Sequence, residues 1–395
     1  MAKEIIKHEI ADCEKFLTEK KMTKEVLEAA LKEALIKIDK LWEDMHGNFA
    51  SSASKNNVYQ EDTNFGSGDW NCGFTTGLLW LAYEATGDEK YKERALSHIE
   101  SFYQRIDQKI GVNHHDMGFL YVPSCVAAYK LTGSELGKEA ALKAADHLLT
   151  RYIEKGGYIQ AWGNVGEQPR LIIDCMNNIP LLYWAAEVTG DKNYFEKAYS
   201  HAMVTIDNIV REDASTHHTY FFHEDGTPDR GMTAQGASDD SCWARGQAWI
   251  VSGLPLTYKY VKDERFVELF EKVTNYFLNY LPKDYVPFWD LIFTDGDDEP
   301  RDSSSAAIAS CGILEMLPYI KDEKLKAIYE GAVDNMMYSL ATKYSSKDEP
   351  ECNGLLLHAV YSKRHGIGVD ECNIWGCYYY MEALVRMLKG TKAYW

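Results

Sequence analysis

Three side chains in one stretch of the chain have the types and spacing of a ligand site. Gln235 lies in a polar, glycine-containing loop, and Arg245 and Trp249 follow in the apolar helix that the loop enters. Residues four apart are neighbours on a helix, so Arg245 and Trp249 share one face. A cation beside a flat aromatic ring suits an anionic, hydroxyl-rich ligand such as a uronic acid sugar. An ion pair of Arg245 with Asp239 or Asp240, beside an ordinary packed tryptophan, is the other interpretation.

Two lone carboxylates, Asp116 and Asp174, have the surroundings of catalytic acids. Asp116 precedes Met117-Gly118-Phe119, and Asp174 stands between Ile172-Ile173 and Cys175-Met176. Apolar surroundings disfavour the charged form, so we expect the pKa of both carboxyls to rise towards the range of a general acid. If the two lie close together, the like charge adds to this effect. The alternative is that both residues are helix N-caps.

Paired histidines and several tryptophans are further candidates for a site. In the pair His114-His115 the rings either orient Asp116 or touch a substrate. His217, in the pair His217-His218, is either a ligand of sugar hydroxyls or a proton shuttle, or belongs to an ordinary solvated loop. We expect aromatic walls from tryptophans near the ends of apolar segments, namely Trp70, Trp162, Trp243 and Trp249.

The elements that must position these residues repeat along the chain. Each unit has a polar loop, a nearly all-apolar helix, a turn such as Thr86-Gly87-Asp88 or Thr189-Gly190-Asp191, and a helix with one apolar face. A fully apolar helix followed by a one-faced helix is typical of an inner layer covered by an outer layer. About five such units follow the amphipathic helix at residues 23–44, and a lone apolar helix at 374–388 ends the series.

The first helix supplies the outer partner that the last inner helix lacks, so about six pairs result. We therefore predict an all-α fold, an (α/α)6 barrel formed by one domain over residues 1–395. An open solenoid is less compatible with so many apolar inner helices. All inner helices of such a barrel begin at one end, and the polar loops before them, including residues 66–71, would converge there on a ligand site.

Composition excludes several classes of partner. The 395 residues have a formal net charge of −18, which argues against nucleic acid because phosphate binding needs clustered lysine and arginine. Nine scattered cysteines without a Cys-x-x-Cys motif or a Cys/His cluster indicate buried thiols in a reducing compartment, with no metal, cofactor or disulfide. The charged N-terminus has neither a signal peptide nor a membrane span, so we expect a cytoplasmic protein without membrane partners.

Longer motifs make the comparison with known proteins specific. The combination resembles the unsaturated glucuronyl hydrolases of glycoside hydrolase family 88 over nearly the whole chain. It consists of Trp70-Asn71-Cys72-Gly73-Phe74, His114-His115-Asp116-Met117-Gly118-Phe119, Ile173-Asp174-Cys175-Met176-Asn177-Asn178, the stretch from Gln235 to Trp249, and Asp302-Ser303-Ser304-Ser305-Ala306-Ala307.

The resemblance implies removal of a 4,5-unsaturated glucuronic acid from disaccharides that polysaccharide lyases make from chondroitin, hyaluronan or heparin. In the family scheme the residue matching Asp174 protonates C4 of the double bond and then activates water for attack at C5. The residue matching Asp116 is also essential. The positions that match the sugar subsite are Trp70, His115, Trp162, His217, Gln235, Arg245 and Trp249.

One departure from the family concerns sulfate. Streptococcal members that prefer sulfated disaccharides have a Ser-x-x-Ser-x-Lys pattern near the C-terminus. Here Ser362 keeps the first serine, but His365 and Ile367 occupy the other two places. Lys363 and Arg364 lie between them, so sulfate binding stays an open hypothesis.

Three alternatives remain. Sugar 2-epimerases use the same toroid but need paired histidines on opposing inner helices, whereas most candidates here lie in loops. An unsaturated galacturonyl (rhamnogalacturonyl) hydrolase would share the chemistry. A non-catalytic helical-repeat scaffold would show polar inner faces or an exposed groove.

Overall fold

A computed structural model of the chain describes residues 4–62 and 70–395. The helices, in chain order, are α1 (Lys24–Asp44), α2 (Cys72–Thr86), α3 (Glu89–Ser97), α4 (Ile99–Asp107), α5 (Met117–Tyr121), α6 (Ala127–Thr132), α7 (Glu135–Leu149), α8 (Pro180–Thr189), α9 (Lys192–Ile209), α10 (Ala244–Val261), α11 (Glu264–Asn279), α12 (Ser303–Met316), α13 (Glu323–Ser339) and α14 (Ile374–Lys389). A π-helical turn, Val122–Val126, joins α5 to α6, and a 3₁₀ turn, Ile173–Asn177, precedes α8.

The helices form two concentric layers, as the alternation of apolar and one-faced segments predicts. Helix α10 is buried without interruption from Ala244 to Tyr258, whereas α11 buries one face and exposes the other. The inner ring is formed by α2, α5–α6, α8, α10, α12 and α14, each of which contacts the next. Contacts between α14 and α2 close the ring, and α1 covers both from outside. The fold is therefore an (α/α)6 barrel.

The turns between inner and outer helices follow a common local chemistry. Gly87 ends α2 with φ at 71°, in the left-handed region that costs a glycine little, and Asp88 then accepts a hydrogen bond from the Lys90 amide at 3.0 Å. Gly190 and Asp191 repeat this arrangement between α8 and α9. Each turn stops one helix and caps the next, which explains why the chain reverses direction within three residues.

Two helices that the sequence indicates as continuous are interrupted. Pro123 has no amide hydrogen to donate, and the chain passes it in the π-helical turn between α5 and α6. The first outer helix is divided at His98, whose ring lies 2.9 Å from the Thr76 hydroxyl and 3.0 Å from the Gly47 carbonyl.

Short strands also occur in the loops, which the prediction of an all-α chain does not include. They are β1 (Phe49–Ala50), β2 (Glu61–Asp62), β3 (Tyr152–Ile153), β4 (Tyr158–Ile159), β5 (Arg170–Ile172), β6 (Thr219–Phe222), β7 (Pro228–Met232), β8 (Ala359–Ser362) and β9 (Ile367–Glu371). Strands β5, β6 and β7 form an antiparallel sheet beside the barrel mouth. The predicted mouth loop at 66–71 lies largely outside the described residues, which include only its Trp70 and Asn71.

Candidate active site

A cavity of about 410 Å³ opens at the end of the barrel where the inner helices begin. Its walls come from four of the predicted mouth loops, from the β5–β6–β7 sheet and from β8, so loops far apart in sequence do converge. The described lining residues are Trp70, Asp116, Trp162, Arg170, Ile172, Asp174, His218, Thr219, Phe221, Met232, Thr233, Ala234, Gln235, Trp243, Arg245, Trp249 and Tyr361. This volume lies within the usual range for a small-molecule site.

The two aspartates come from neighbouring inner elements, and both accept a hydrogen bond from Asn178. Asp116 lies at the start of α5, and Asp174 lies in the 3₁₀ turn that precedes α8. The Asn178 side-chain amide donates to Asp116 Oδ1 and to the Asp174 carbonyl, each at 3.3 Å, and its oxygen accepts from the Phe119 amide at 2.9 Å. Asn178 thereby fixes the start of α5 against the turn that holds Asp174. Neither aspartate side chain caps a helix.

Two buried histidines contact the carboxylates. His114 Nδ1 is 3.0 Å from Asp116 Oδ2, and the other ring nitrogen is 2.9 Å from the Gly111 carbonyl. His115 Nε2 lies between the two aspartates, 3.3 Å from an oxygen of each. Only 1% of the His115 side chain is exposed, against 18% of Asp174, so Asp174 is the most exposed member of the group, although Asp116 also lines the cavity.

The electrostatics separate the two carboxyls. Burial raises the pKa of Asp174, and the charge of Asp116 adds to the increase while His115 opposes it. Burial acts on Asp116 in the same direction, but the positive charge of His115 and the hydrogen bonds from His114 and Asn178 outweigh it, so the pKa of Asp116 is lowered. Burial alone would lower the pKa of His115, but Asp116 and Asp174 raise it. The expectation that both aspartates have raised pKa values is therefore wrong for Asp116.

This charge order defines what the site can do. The raised pKa of Asp174 favours its protonated form and the lowered pKa of Asp116 favours its ionised form, so Asp174 is the carboxyl better suited to act as a general acid. The same three side chains each offer one ligand atom, all within 4.8 Å of one another, so they are also the described group best able to hold a metal ion. Two carboxyls whose pKa values are shifted in opposite directions suit acid–base chemistry.

Arg245 borders the cavity but bonds to protein groups. Its Nη1 donates to Asp302 Oδ2 at 3.0 Å and to the Val360 carbonyl, and its Nη2 donates to Gln235 Oε1 at 2.8 Å and to the Tyr361 carbonyl at 2.7 Å. The predicted ion pair with Asp239 or Asp240 does not form; Asp302 takes that place. Arg245 therefore contributes positive charge to the cavity and orients Gln235.

Tryptophans form the cavity walls at different depths. Trp249 is 1% exposed and lies 5.1 Å from the Phe119 ring. Trp70 donates from Nε1 to the Tyr361 hydroxyl at 3.0 Å. Trp162 is 37% exposed and stacks on His114 at 5.0 Å, so it forms the outer rim. Trp243 also lines the cavity, so all four tryptophans predicted as aromatic walls lie there.

Three predicted substrate contacts lie elsewhere. The described residues that line the cavity do not include His115, His217 or Ser362. His115 is behind the carboxylates, and Ser362 is 5% exposed with its hydroxyl 2.7 Å from His365 Nδ1. The His217 ring packs on Gly231, where an added Cβ would lie 2.2 Å from its Nδ1.

His218 takes the place predicted for His217. Neighbouring residues on an extended chain point to opposite sides, so only one of the pair can face the cavity. The Ala234 amide donates to His218 Nδ1 at 2.8 Å, which leaves the proton on Nε2. Burial lowers the pKa of His218 to about 3, with a further contribution from Arg245, so the ring is a neutral hydrogen-bond donor.

Arg170 and the sheet that holds it are the other part of the cavity that the sequence analysis missed. A hairpin signal was present, because the aromatic run Tyr220-Phe221-Phe222 is followed by Asp225-Gly226. Nothing in the sequence places residues 170–172 beside that hairpin. The pairing of Arg170 with Phe221 is a tertiary contact.

No helix among the described residues is long and apolar enough to cross a membrane. None of the nine cysteines, all of which lie in the described residues, forms a disulfide.

Comparisons with known proteins identify the family of the chain. The model of Glycosyl Hydrolase Family 88 matches residues 37–392. The chain is 47% identical to an unsaturated chondroitin disaccharide hydrolase of Streptococcus pneumoniae, with all of both chains covered. It is 40% identical to an unsaturated glucuronyl hydrolase of Bacillus sp. strain GL1, over 83% of this chain and 88% of the relative.

Solved structures give the same result. The unsaturated glucuronyl hydrolase of Streptococcus agalactiae superposes with a TM-score of 0.97 at 46% identity, with both chains covered completely. A variant of that enzyme complexed with dGlcA-GalNAc6S superposes with a TM-score of 0.90 at 43% identity, again over both complete chains. With its barrel, its acid pair and these relatives, the chain belongs to glycoside hydrolase family 88 and is a glycosidase.

Proposed function

We propose that this enzyme removes the 4,5-unsaturated glucuronic acid from the non-reducing end of glycosaminoglycan disaccharides, with chondroitin products as the first candidates. The observation that supports this most is the pair Asp116 and Asp174 around His115, in which the more exposed carboxyl, Asp174, has a raised pKa and lines a cavity of sugar size. The names of the relatives from Streptococcus and Bacillus support the same substrate class.

The proposed reaction is hydration of a vinyl ether. Asp174 donates its proton to C4, and the positive charge that develops at C5 is shared with the ring oxygen. The resulting Asp174 carboxylate takes a proton from water as the water oxygen bonds to C5, which regenerates the acid. The hemiketal at C5 opens, the former ring oxygen stays on C1 as a hydroxyl, and this hemiacetal releases the second sugar.

One carboxyl acting first as acid and then as base is sufficient for this route. Ordinary inverting glycosidases keep their two carboxyls roughly 6.5–9.5 Å apart to admit a water. Here the ligand atoms of Asp116, His115 and Asp174 lie within 4.8 Å of one another, and His115 lies between the carboxylates. Asp116 is 2% exposed and has partners on both oxygens, which favours a positioning role over nucleophilic attack.

The remaining contacts are assigned by position in the cavity. Gln235 and His218 face the unsaturated sugar as hydrogen-bonding groups, and Trp70 and Trp249 pack against its ring. Arg245 supplies positive charge for the uronate from behind Gln235. Trp162 stacks on the second sugar at the rim.

Loss of the conjugated double bond gives a direct assay. Unsaturated disaccharides from chondroitin, hyaluronan and heparin are each mixed with the protein, and their ultraviolet absorbance is followed. We expect the absorbance to fall with chondroitin disaccharide at least. A constant absorbance with all three substrates would contradict the proposed function.

We further propose that the enzyme works in the cytoplasm. Its nine free thiols, eight of them buried, fit a reducing compartment. Cell fractionation followed by the absorbance assay tests this, and activity found only outside the cell would contradict it.

A further inference from the structure

A row of three side chains on the sheet beside the cavity combines two cations with one aromatic ring. In the β5–β6–β7 register Arg170 pairs with Phe221, and Phe221 pairs with Arg230. Residues paired across antiparallel strands point to the same face. Arg170 and Phe221 line the cavity, so this face is its outer wall. The guanidinium carbons lie 5.8 Å (Arg170) and 5.5 Å (Arg230) from the centre of the Phe221 ring.

Arg170 differs from the other cations near the cavity in the hydrogen bonds of its guanidinium. Within residues 4–62 and 70–395, no oxygen accepts a hydrogen bond or forms an ion pair with its side chain. Arg245 has four acceptors. Arg230 is bonded to Asp229, and both remain at the surface. In a chain with a net charge of −18, an arginine on a cavity wall that has no acceptor among the described residues is available for an anionic ligand.

The position of Arg170 selects which part of a ligand it can reach. Three residues lie between Arg170 and Asp174, so their α-carbons are at most about 13 Å apart. The Ala161 amide donates to the Arg170 carbonyl at 2.9 Å, which places Arg170 next to the segment of the rim tryptophan, Trp162. In the proposed binding mode, in which Trp162 stacks on the second sugar, Arg170 is therefore next to the leaving sugar.

The loop near the C-terminus, which contains the departure from the family pattern, does not offer an equivalent group. Ser362 is bonded to His365, and Lys363 is paired with Glu299. Arg364 donates to the Thr233 carbonyl at 3.1 Å and is exposed. Of these basic residues only Arg364 lies near the cavity rim, so it is the competing candidate.

We propose that Arg170, supported by Arg230 across the Phe221 ring, binds a sulfate group on the leaving sugar and sets a preference for sulfated disaccharides. Arg170 provides two parallel N–H donors, and Phe221 holds the guanidinium plane by cation–π contact. Arg230 adds positive charge from the neighbouring strand. This inference rests on the proposed function, because it concerns the second sugar of the same substrate.

The test is the ratio of kcat/KM for a sulfated chondroitin disaccharide to kcat/KM for the unsulfated one. The wild type is assayed with 6-sulfated, 4-sulfated and unsulfated substrates. Removal of one charged hydrogen-bonding group should lower this ratio about tenfold in Arg170→Gln for at least one sulfated substrate. Arg170→Lys keeps the charge without the planar fork and should recover part of the ratio.

Two control variants locate the effect. Arg265→Gln removes an exposed charge on the outer helix α11, where Arg265 pairs with Asp263, and should keep the wild-type ratio. Arg364→Gln should do the same. An unchanged ratio in Arg170→Gln, or a decrease in Arg364→Gln alone, would overturn the assignment. If the wild-type enzyme is inactive on all three substrates, the proposed function itself is overturned. Failure of the sulfate assignment and failure of the proposed function can therefore be distinguished.

Discussion

At the scale of single residues, the site depends on charge order within a small buried group. Asp116, His115 and Asp174 are chemically two acids and one base, but their partners make them different. The side chains of His114 and Asn178 bond to the Asp116 carboxylate and not to the Asp174 carboxylate. The Asp174 side chain is instead 18% exposed. Two identical carboxyls thus acquire opposite shifts in pKa.

The first prediction concerns the proposed acid. Asp174→Asn cannot donate a proton to C4, so kcat should fall by about 10²–10⁴-fold while substrate still binds. The measurement is the absorbance assay together with binding of the unsaturated disaccharide by calorimetry. Asp191→Asn is the matched control, since asparagine also caps α9, and it should keep wild-type activity. Substantial turnover by Asp174→Asn would remove Asp174 from this role.

The second prediction concerns pH. In the proposed mechanism Asp116 acts ionised and Asp174 acts protonated, so activity should fall as pH decreases through the pKa of Asp116 and as pH increases through that of Asp174. His115 lowers the pKa of both. In His115→Gln both limbs of the pH profile of kcat/KM should therefore move to higher pH.

His114→Gln provides the comparison for the pH prediction. His114 contributes to the lowered pKa of Asp116 and is not among the causes found for Asp174. Its replacement should move the acidic limb to higher pH and leave the alkaline limb in place. Identical shifts in the two histidine variants would contradict this charge order.

At the scale of secondary-structure elements, close contact between inner helices determines the position of the residues at the barrel mouth. Helices α10 and α12 are adjacent in the ring. A Cβ added at Gly312 of α12 would lie 2.5 Å from the Val251 carbonyl oxygen and 2.6 Å from the Ser252 α-carbon. Backbone cannot yield as a flexible side chain can, so Gly312 determines how closely α12 approaches the helix that bears Arg245 and Trp249.

The third prediction follows from this contact. Gly312→Ala should lower the free energy of unfolding by about 1–3 kcal/mol, because the added methyl group forces the two helices apart. Ser310→Ala is the control in the same helix, since it only removes a hydroxyl bonded to the Ala306 carbonyl, and it should cost about 0.5–1.5 kcal/mol or less. Denaturant titration measures both. A Gly312→Ala variant as stable as wild type would show that the helices adjust freely.

At the scale of the whole molecule, the inner ring surrounds an aromatic core. The Trp395 side chain is 1% exposed, stacks with Tyr379 at 6.1 Å and lies 6.1 Å from Phe119 and 6.5 Å from Phe74. Its Nε1 donates to Glu382 at 3.2 Å. The rings it contacts belong to α2, α5 and α14, so one side chain joins three members of the ring, including the pair that closes it.

The fourth prediction tests this core. Trp395→Ala should lower the free energy of unfolding by about 3–5 kcal/mol through lost burial and the cavity it leaves. The control is Trp162→Ala at the exposed rim, which should change stability much less and raise KM. Thermal and denaturant unfolding give the first result, and the absorbance assay gives the second. A larger loss of stability in Trp162→Ala would contradict the distinction between core and rim.

Sequence alone determined the architecture and the region of the site, because both follow from local patterns. Alternation of apolar and one-faced helices predicted six pairs and a closed ring, and the aspartates after His114-His115 and Ile172-Ile173 marked the acids. Strand β5 could not be predicted because its pairing joins segments about fifty residues apart, such as Arg170 and Phe221. The apolar neighbours in sequence predicted that the aspartates would be buried. They did not show that His115, His114 and Asn178 would outweigh burial and lower the pKa of Asp116.

Only the tertiary structure decided which member of each candidate set faces the cavity. His217 and His218 are equivalent in sequence, and strand direction places His218 inside. The carboxylate that pairs with Arg245 belongs to Asp302, which lies 57 residues further along the chain. Arg170 became a candidate only when the structure placed it on the cavity wall with no acceptor among the described residues. Side-chain type and helical period are encoded locally, but orientation, burial and the choice of ionic partner arise from distant segments meeting in three dimensions.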